Sequence, residues 1–91
     1  MLEVILDTET TGLSTKSQHK IVEIGCIEVV NQIQTGNIFH EYINPERQVT
    51  EDAFKVHGYS DEFLSSKKKF PQIADSFLNF IKRIKLKHIR L

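Results

Sequence analysis

The sequence predicts an α/β domain in which three antiparallel strands precede a run of helices. Three observations carry this. The first 43 residues hold three apolar, β-former-rich runs separated by polar turn residues. Capping residues follow at Thr50, Gly58 and Ser60. Apolar residues then recur at three- and four-residue steps from Phe70 to Ile84.

Leu2 to Asp7 is apolar, and Thr10-Thr11-Gly12 stops it, so it reads as a short, mostly buried strand running into a turn. Residues 13–20 are polar, lack a hydrophobic period and read as a loop. Residues 21–30 form a second strand, with Ile21, Glu23, Gly25, Ile27 and Val29 on one face and Val22, Glu28 and Val30 on the other. The polar stretch from Asn31 to Asn37, including Thr35-Gly36-Asn37, reverses the chain. Ile38 to Ile43 pairs back as a third strand, ended by Asn44-Pro45. Thr50 suits the N-cap of a short helix with Glu51 and Asp52 in its first turn, and His57-Gly58 closes it. Ser60 caps a second turn from Asp61 to Leu64, and Pro71 suits the first turn of a longer helix. The stripe of Phe70, Ile73, Ala74, Phe77, Leu78, Ile81 and Ile84 reads as that helix's core face. Lys85, Leu86 and Lys87 then alternate like the start of a fourth strand.

At 91 residues, 40% apolar and 26% charged, the chain reads as one soluble globular domain of marginal stability. No apolar run approaches the ~18 residues of a spanning helix. The single cysteine, Cys26, excludes an internal disulfide and a cysteine-cluster zinc site, and a reducing, cytoplasmic location is expected. The zero net charge conceals a split. Residues 1–66 hold eleven acids against four bases, and residues 67–91 hold Asp75 against eight bases. Such a basic end reads either as a solvated helix face or as a phosphate-contacting tail.

The chemistry concentrates in Asp7-Thr8-Glu9-Thr10-Thr11-Gly12-Leu13. Positions two apart on a strand share a face, so Asp7 and Glu9 project two carboxylates side by side at its carboxyl end. Hard oxygen ligands at that spacing suit Mg²⁺ or Mn²⁺. Paired ions of this kind activate water and stabilise the leaving oxygen in phosphodiester hydrolysis. Taken alone, an Asp-x-Glu pair is common and equally describes a solvated strand end.

The longer string resembles the first motif of the DEDD-type 3′–5′ exonucleases and, within them, the proofreading epsilon subunits of bacterial DNA polymerase III. The likeness continues through His19-Lys20-Ile21-Val22-Glu23-Ile24-Gly25, Ile27 to Asn31, Thr35-Gly36-Asn37, Ala53 to Gly58 and Asp61 to Leu64. It implies a ribonuclease H-like α/β fold: three antiparallel strands, then helices, then two more strands. It implies metal-dependent hydrolysis at a DNA 3′ end, with two Mg²⁺ or Mn²⁺ ions, and DNA polymerase III core subunits as partners. By position it makes Asp7 and Glu9 the metal-binding, catalytic and substrate-contacting acids, with Asp52 and His57 lining the nucleotide pocket. Family members often carry Glu where this chain has Asp52. Read without the family, Asp52 is a helix-dipole acid and His57 a helix-end residue.

His19 lies in the loop, where it could face the site but reads first as a solvated loop histidine; His40 and Cys26 read as structural, and nothing is carried over to His88. The resemblance covers roughly residues 2–82, so residues 1–91 are expected to form the N-terminal half of an exonuclease domain. The family's second-motif Asp, its His base and its final Asp lie beyond the matched stretch, and the last two strands are expected to be missing. Weak metal binding and little or no activity alone follow, and the backbone of Val4-Ile5-Leu6 is expected to form an apolar edge. The basic stretch from Lys82 to Arg90 fits the family's next strand poorly; a frameshift in the tail would account for that and for the missing motifs. A non-catalytic nucleic-acid or polymerase-complex binding module is the alternative reading, supported by the basic end. A distant likeness to haloacid dehalogenase-like phosphatases is broken by Glu9, since that motif normally has Asp at both acid positions.

Overall fold

The computed structural model describes residues 2–12, 19–83 and the backbone of 89–90. In chain order the elements are β1 (Leu2–Thr10), β2 (Ile21–Val30), β3 (Ile33–Tyr42), α1 (Glu51–His57), α2 (Asp61–Ser65), α3 (Phe70–Arg83) and β4 (Ile89–Arg90). They build one sheet in the order β3-β2-β1-β4, antiparallel except for the parallel β1–β4 pair.

The three-strands-then-helices architecture is as expected, and the particulars correct it in four places. The hairpin turns within the expected stretch but at its first two residues, Asn31 and Gln32, both at positive φ (51° and 70°), so the third strand begins at Ile33 and not at Ile38. Two successive left-handed residues match the twist of the flanking strands, which favours a two-residue loop there. Thr35 to Asn37 instead lies inside β3, where the pairing is irregular between Ile27 and Val29. The Thr35 hydroxyl (2.7 Å) and the Asn37 amide (2.9 Å) both donate to one oxygen of the buried Glu28, which makes that carboxylate tolerable on the core face. The first strand, expected to end at Asp7, continues to Thr10.

On α3 the buried face differs from the expected stripe. Ile73 is buried, and Phe77 and Phe80 pack against the core, with the Phe39 ring 5.7 Å and 5.8 Å from theirs. Phe70 and Leu78 are about half exposed. At 100° per residue, positions 73, 77 and 80 form a narrow stripe, and position 78 is rotated out of it. Finally, the sheet does not stop at β1. Ile89 and Arg90 pair with Val4 and Ile5 and cover part of the edge expected to be open, so a short fourth strand is present although the resemblance left the last two strands missing. The alternation expected at Lys85 to Lys87 lies outside the described residues, as do Ile84 and His88.

The core sits between one sheet face and α3: Val4, Ile24, Cys26, Ile43 and Ile73, with Leu6 and Ile21 half-buried beside them. Burying a side chain such as Ile43 (1% exposed) contributes about 1.5–3 kcal/mol. The helices carry the anticipated caps. Thr50 accepts from the Ala53 N–H and Ser60 from the Phe63 N–H, and Gly58 closes α1 at φ 78°. Among the described residues, no helix is long and apolar enough to cross a membrane.

Candidate metal centre

With Val4 and Leu6 turned toward α3, the alternation of β1 places Ile5, Asp7 and Glu9 on the opposite face. Directly across the ladder stand Ile27, Gly25 and Glu23 of β2, and across from those Ile38, His40 and Tyr42 of β3. Asp7 is exposed and Glu9 half-buried at the carboxyl end of β1, the placement the alternation predicts. One Asp7 oxygen accepts from the Thr8 N–H (3.0 Å), and among the described residues the other has no hydrogen-bond donor. The register shifts between Glu9 and Thr10, a bulge that bends the strand just past the second acid.

Opposite Glu9 stands Glu23, and like charges facing each other across a ladder repel. Glu23 is quenched by its partners. One of its oxygens accepts from the Tyr59 hydroxyl at 2.9 Å and the other from His40 Nε2 at 2.5 Å. Burial, then the bond to Glu23, push the Tyr59 phenol well above its ordinary range, so it remains a donor. Its ring also meets those of Tyr42 (5.1 Å) and Phe63 (5.7 Å), and the Lys67 ammonium lies 4.4 Å from the Phe63 centroid.

Helix α1 is tied to the end of β1 at both of its own ends. The Thr50 N–H donates to the Thr11 carbonyl (2.7 Å), and His57 Nε2 donates to the Thr10 carbonyl (3.0 Å). The other His57 nitrogen, Nδ1, accepts from the Tyr59 N–H at 3.0 Å. A carbonyl can only accept and an amide N–H only donates, so His57 is the neutral Nε2–H tautomer with both nitrogens engaged. The family resemblance implies that His57 lines a nucleotide pocket; here both ring nitrogens bond the protein, one of them to the carbonyl of the residue after Glu9. Asp52 stands exposed in the first turn of α1, two residues past the Thr50 anchor, where the helix dipole favours an acid.

The turn after β1 is equally specified. Thr11 is fully buried and each of its polar groups is used. Its N–H donates to the Lys20 carbonyl (2.8 Å), its hydroxyl accepts from the Lys20 N–H (3.0 Å) and hydrogen-bonds with His19 Nδ1 (3.0 Å), and its carbonyl accepts from the Thr50 N–H. The His19 ring packs directly over Gly12, where an added Cβ would collide with it. His19 is therefore half-buried and bonded, and the expected solvated loop histidine is corrected: the missing side chain at Gly12 creates its seat. His40 is 43% exposed at its side chain and serves Glu23, a structural role as read. Cys26 is buried as read, and burial raises its thiol to about 11. Tyr59 escaped the sequence reading, and Glu23 and Thr11 were read only as strand and turn residues, although the strand register alone places Glu23 opposite Glu9.

The donor set fits a hard divalent ion. Magnesium keeps several waters and takes one or two carboxylates plus substrate phosphates, and manganese accepts the same oxygens. Among the described residues no group of three or more His, Cys, Asp or Glu side chains gathers to hold a metal; Asp7 and Glu9 supply two carboxylates from one face of β1.

The sheet order β3-β2-β1-β4, with an acid pair at the carboxyl end of the inner strand β1 and helices following β3, is an α/β arrangement shared with known nucleases. Residues 4–89 match the exonuclease family of the RNase T type, and the chain belongs to that family. The match ends at the first residue of β4. The chain is 58% identical over 84 residues to DNA polymerase III subunit epsilon of Rickettsia felis and 48% identical over 88 residues to that of Escherichia coli. It covers 92% of itself in each alignment but only 37% and 36% of those relatives, so it spans just over a third of their length. Among solved structures it superposes on cell-death related nuclease 4 with a TM-score of 0.80 at 17% identity, covering 94% of this chain and 31% of that one. The nuclease domain of 3′hExo, a DEDDh family member bound to rAMP, gives 0.77 at 20% identity, covering 96% and 46%. The fold is thus a partial ribonuclease H-like exonuclease fold.

Proposed function

We propose that this chain contributes the first metal-binding segment of a 3′–5′ proofreading exonuclease acting at a DNA 3′ end alongside a DNA polymerase III core. The observation that carries the reading is the placement of Asp7 and Glu9 on one face at the end of an inner strand, in a chain so similar to epsilon subunits. Mg²⁺ or Mn²⁺ bound there would supply water activation and stabilisation of the leaving oxygen. The chain's own residues hold the ion through Asp7 and Glu9, keep Glu23 out of the first rank of ligands, and set α1, with Asp52 and His57, beside the strand end where a terminal nucleotide would lie.

Two carboxylates are a thin shell, and no described residue stands as a general base for the attacking water. General-base catalysis contributes 10²–10⁴-fold, so the chain by itself is weak or inactive. A 3′-labelled single-stranded DNA assay in Mn²⁺ tests this. The expected result is trace mononucleotide release that vanishes in Asp7→Ala. Rapid release would overturn the incomplete-site reading. DNA binding that survives Asp7→Ala and Glu9→Ala with a steep salt dependence would favour a non-catalytic module.

A further inference from the structure

The bonds of His57 and Tyr59 converge on a single rung of the sheet. His57 Nε2 holds the carbonyl of Thr10, the residue after Glu9 at the β1 bulge. Tyr59 holds through its hydroxyl the carboxylate of Glu23, the residue opposite Glu9 on β2. The two grips are joined to each other: the Tyr59 N–H donates to His57 Nδ1, and the two rings stack at 4.9 Å and 17°. The left-handed Gly58 between them, at φ 78°, lets one short segment reach both strands.

We infer that His57 and Tyr59 form a positioning clamp for the Glu9 rung, with His57 acting as a neutral Nε2–H donor and neither as a metal ligand nor as a base. Glu9 follows a half-buried strand into a bulge, where backbone direction decides the aim of its carboxylate. Fixing the Thr10 carbonyl fixes that bend. Withholding Glu23 keeps a third carboxylate from competing with Glu9 for the ion or repelling it. Partners bonded directly to a metal ligand are worth about 10–100-fold in metal affinity when removed, and this clamp, acting through the backbone next to Glu9, belongs at the lower end of that range. The inference rests on the reading that Asp7 and Glu9 bind the ion.

The test measures Mn²⁺ affinity of the whole chain by water-proton relaxation for wild type, His57→Ala and His57→Gln, with folding checked by amide NMR spectra. Gln places an N–H₂ donor near the position of Nε2 but has no acceptor at the position of Nδ1. His57→Ala is expected to weaken Mn²⁺ by about tenfold and His57→Gln to recover most of the loss. A merely structural histidine gives no such selective rescue. A long-range ¹H–¹⁵N spectrum of the wild-type imidazole is expected to show the Nε2–H tautomer, unchanged when diamagnetic Mg²⁺ is added. Full affinity in a folded His57→Ala, the opposite tautomer, or imidazole nitrogens that shift as ligands on adding Mg²⁺ would overturn the clamp while leaving the metal reading intact. Should His57→Ala unfold, the tautomer and the His57→Gln affinity decide. Absence of Mn²⁺ binding by wild type would instead refute the metal reading and the inference together.

Discussion

Replacing Gly12 by alanine probes how tightly the turn after β1 is built. A Cβ there would lie closer to the His19 ring than real Cβ atoms approach any neighbour, and the backbone around Thr11 is pinned by four hydrogen bonds. The ring must yield. Overpacking of this kind costs about 1–3 kcal/mol, and loss of the bond between the Thr11 hydroxyl and His19 adds about 0.5–1.5 kcal/mol. The sum, about 2–4 kcal/mol, is a large share of the stability of a domain this small. Urea unfolding of Gly12→Ala, His19→Ala and the double variant closes a cycle. With the ring gone, Gly12→Ala is expected to cost less than about 0.5 kcal/mol, a coupling near 2 kcal/mol. Additive losses would show that His19 does not occupy that space, and the reading of Gly12 as its seat would be wrong.

Two further outcomes follow from the same geometry. The Cys26 thiol is raised from 9.0 to about 11 by burial, so between those values the folded chain keeps a proton that the unfolded chain has lost. Stability is therefore complete below about pH 9 and falls by about 2–3 kcal/mol as pH rises to about 11. Tyr59 extends the decline above its ordinary value of 10.0, and Cys26→Ala should flatten the first part; an identical pH profile in that variant contradicts the assignment. Tyr59→Phe removes the hydroxyl bond to Glu23 and leaves that carboxylate facing Glu9, so a loss of about 1–3 kcal/mol in urea unfolding is expected at neutral pH. No loss would mean that Glu23 is held by His40 alone.

Local signals were legible where one residue type does one job. Thr50, Gly58 and Ser60 announced their caps, and the alternation of β1 placed Asp7 and Glu9 together. The misreadings arose where a residue's role depends on a partner distant in sequence. Thr35-Gly36-Asn37 looks like a turn because its side chains seek hydrogen bonds, and Glu28 across the sheet supplies the acceptor. Gly12 looks like a turn glycine, yet it makes room for an imidazole seven residues on. His57 reads as a ligand or a cap from its type; only the carbonyl of Thr10, 47 positions away, decides its tautomer. Leu78 belongs to the helical period of α3 but lies outside the strip that the sheet can cover.

Mn²⁺ titrated into the isotopically labelled chain, with amide signals followed by NMR, tests the central claim most directly. Paramagnetic broadening is expected to start at Asp7 and Glu9 and at their neighbours across the ladder, Gly25 and Glu23, and to disappear in the Asp7→Asn, Glu9→Gln double variant. Broadening centred instead on the acidic turns at Glu51 or at Asp61 and Glu62, and indifferent to those substitutions, would contradict it.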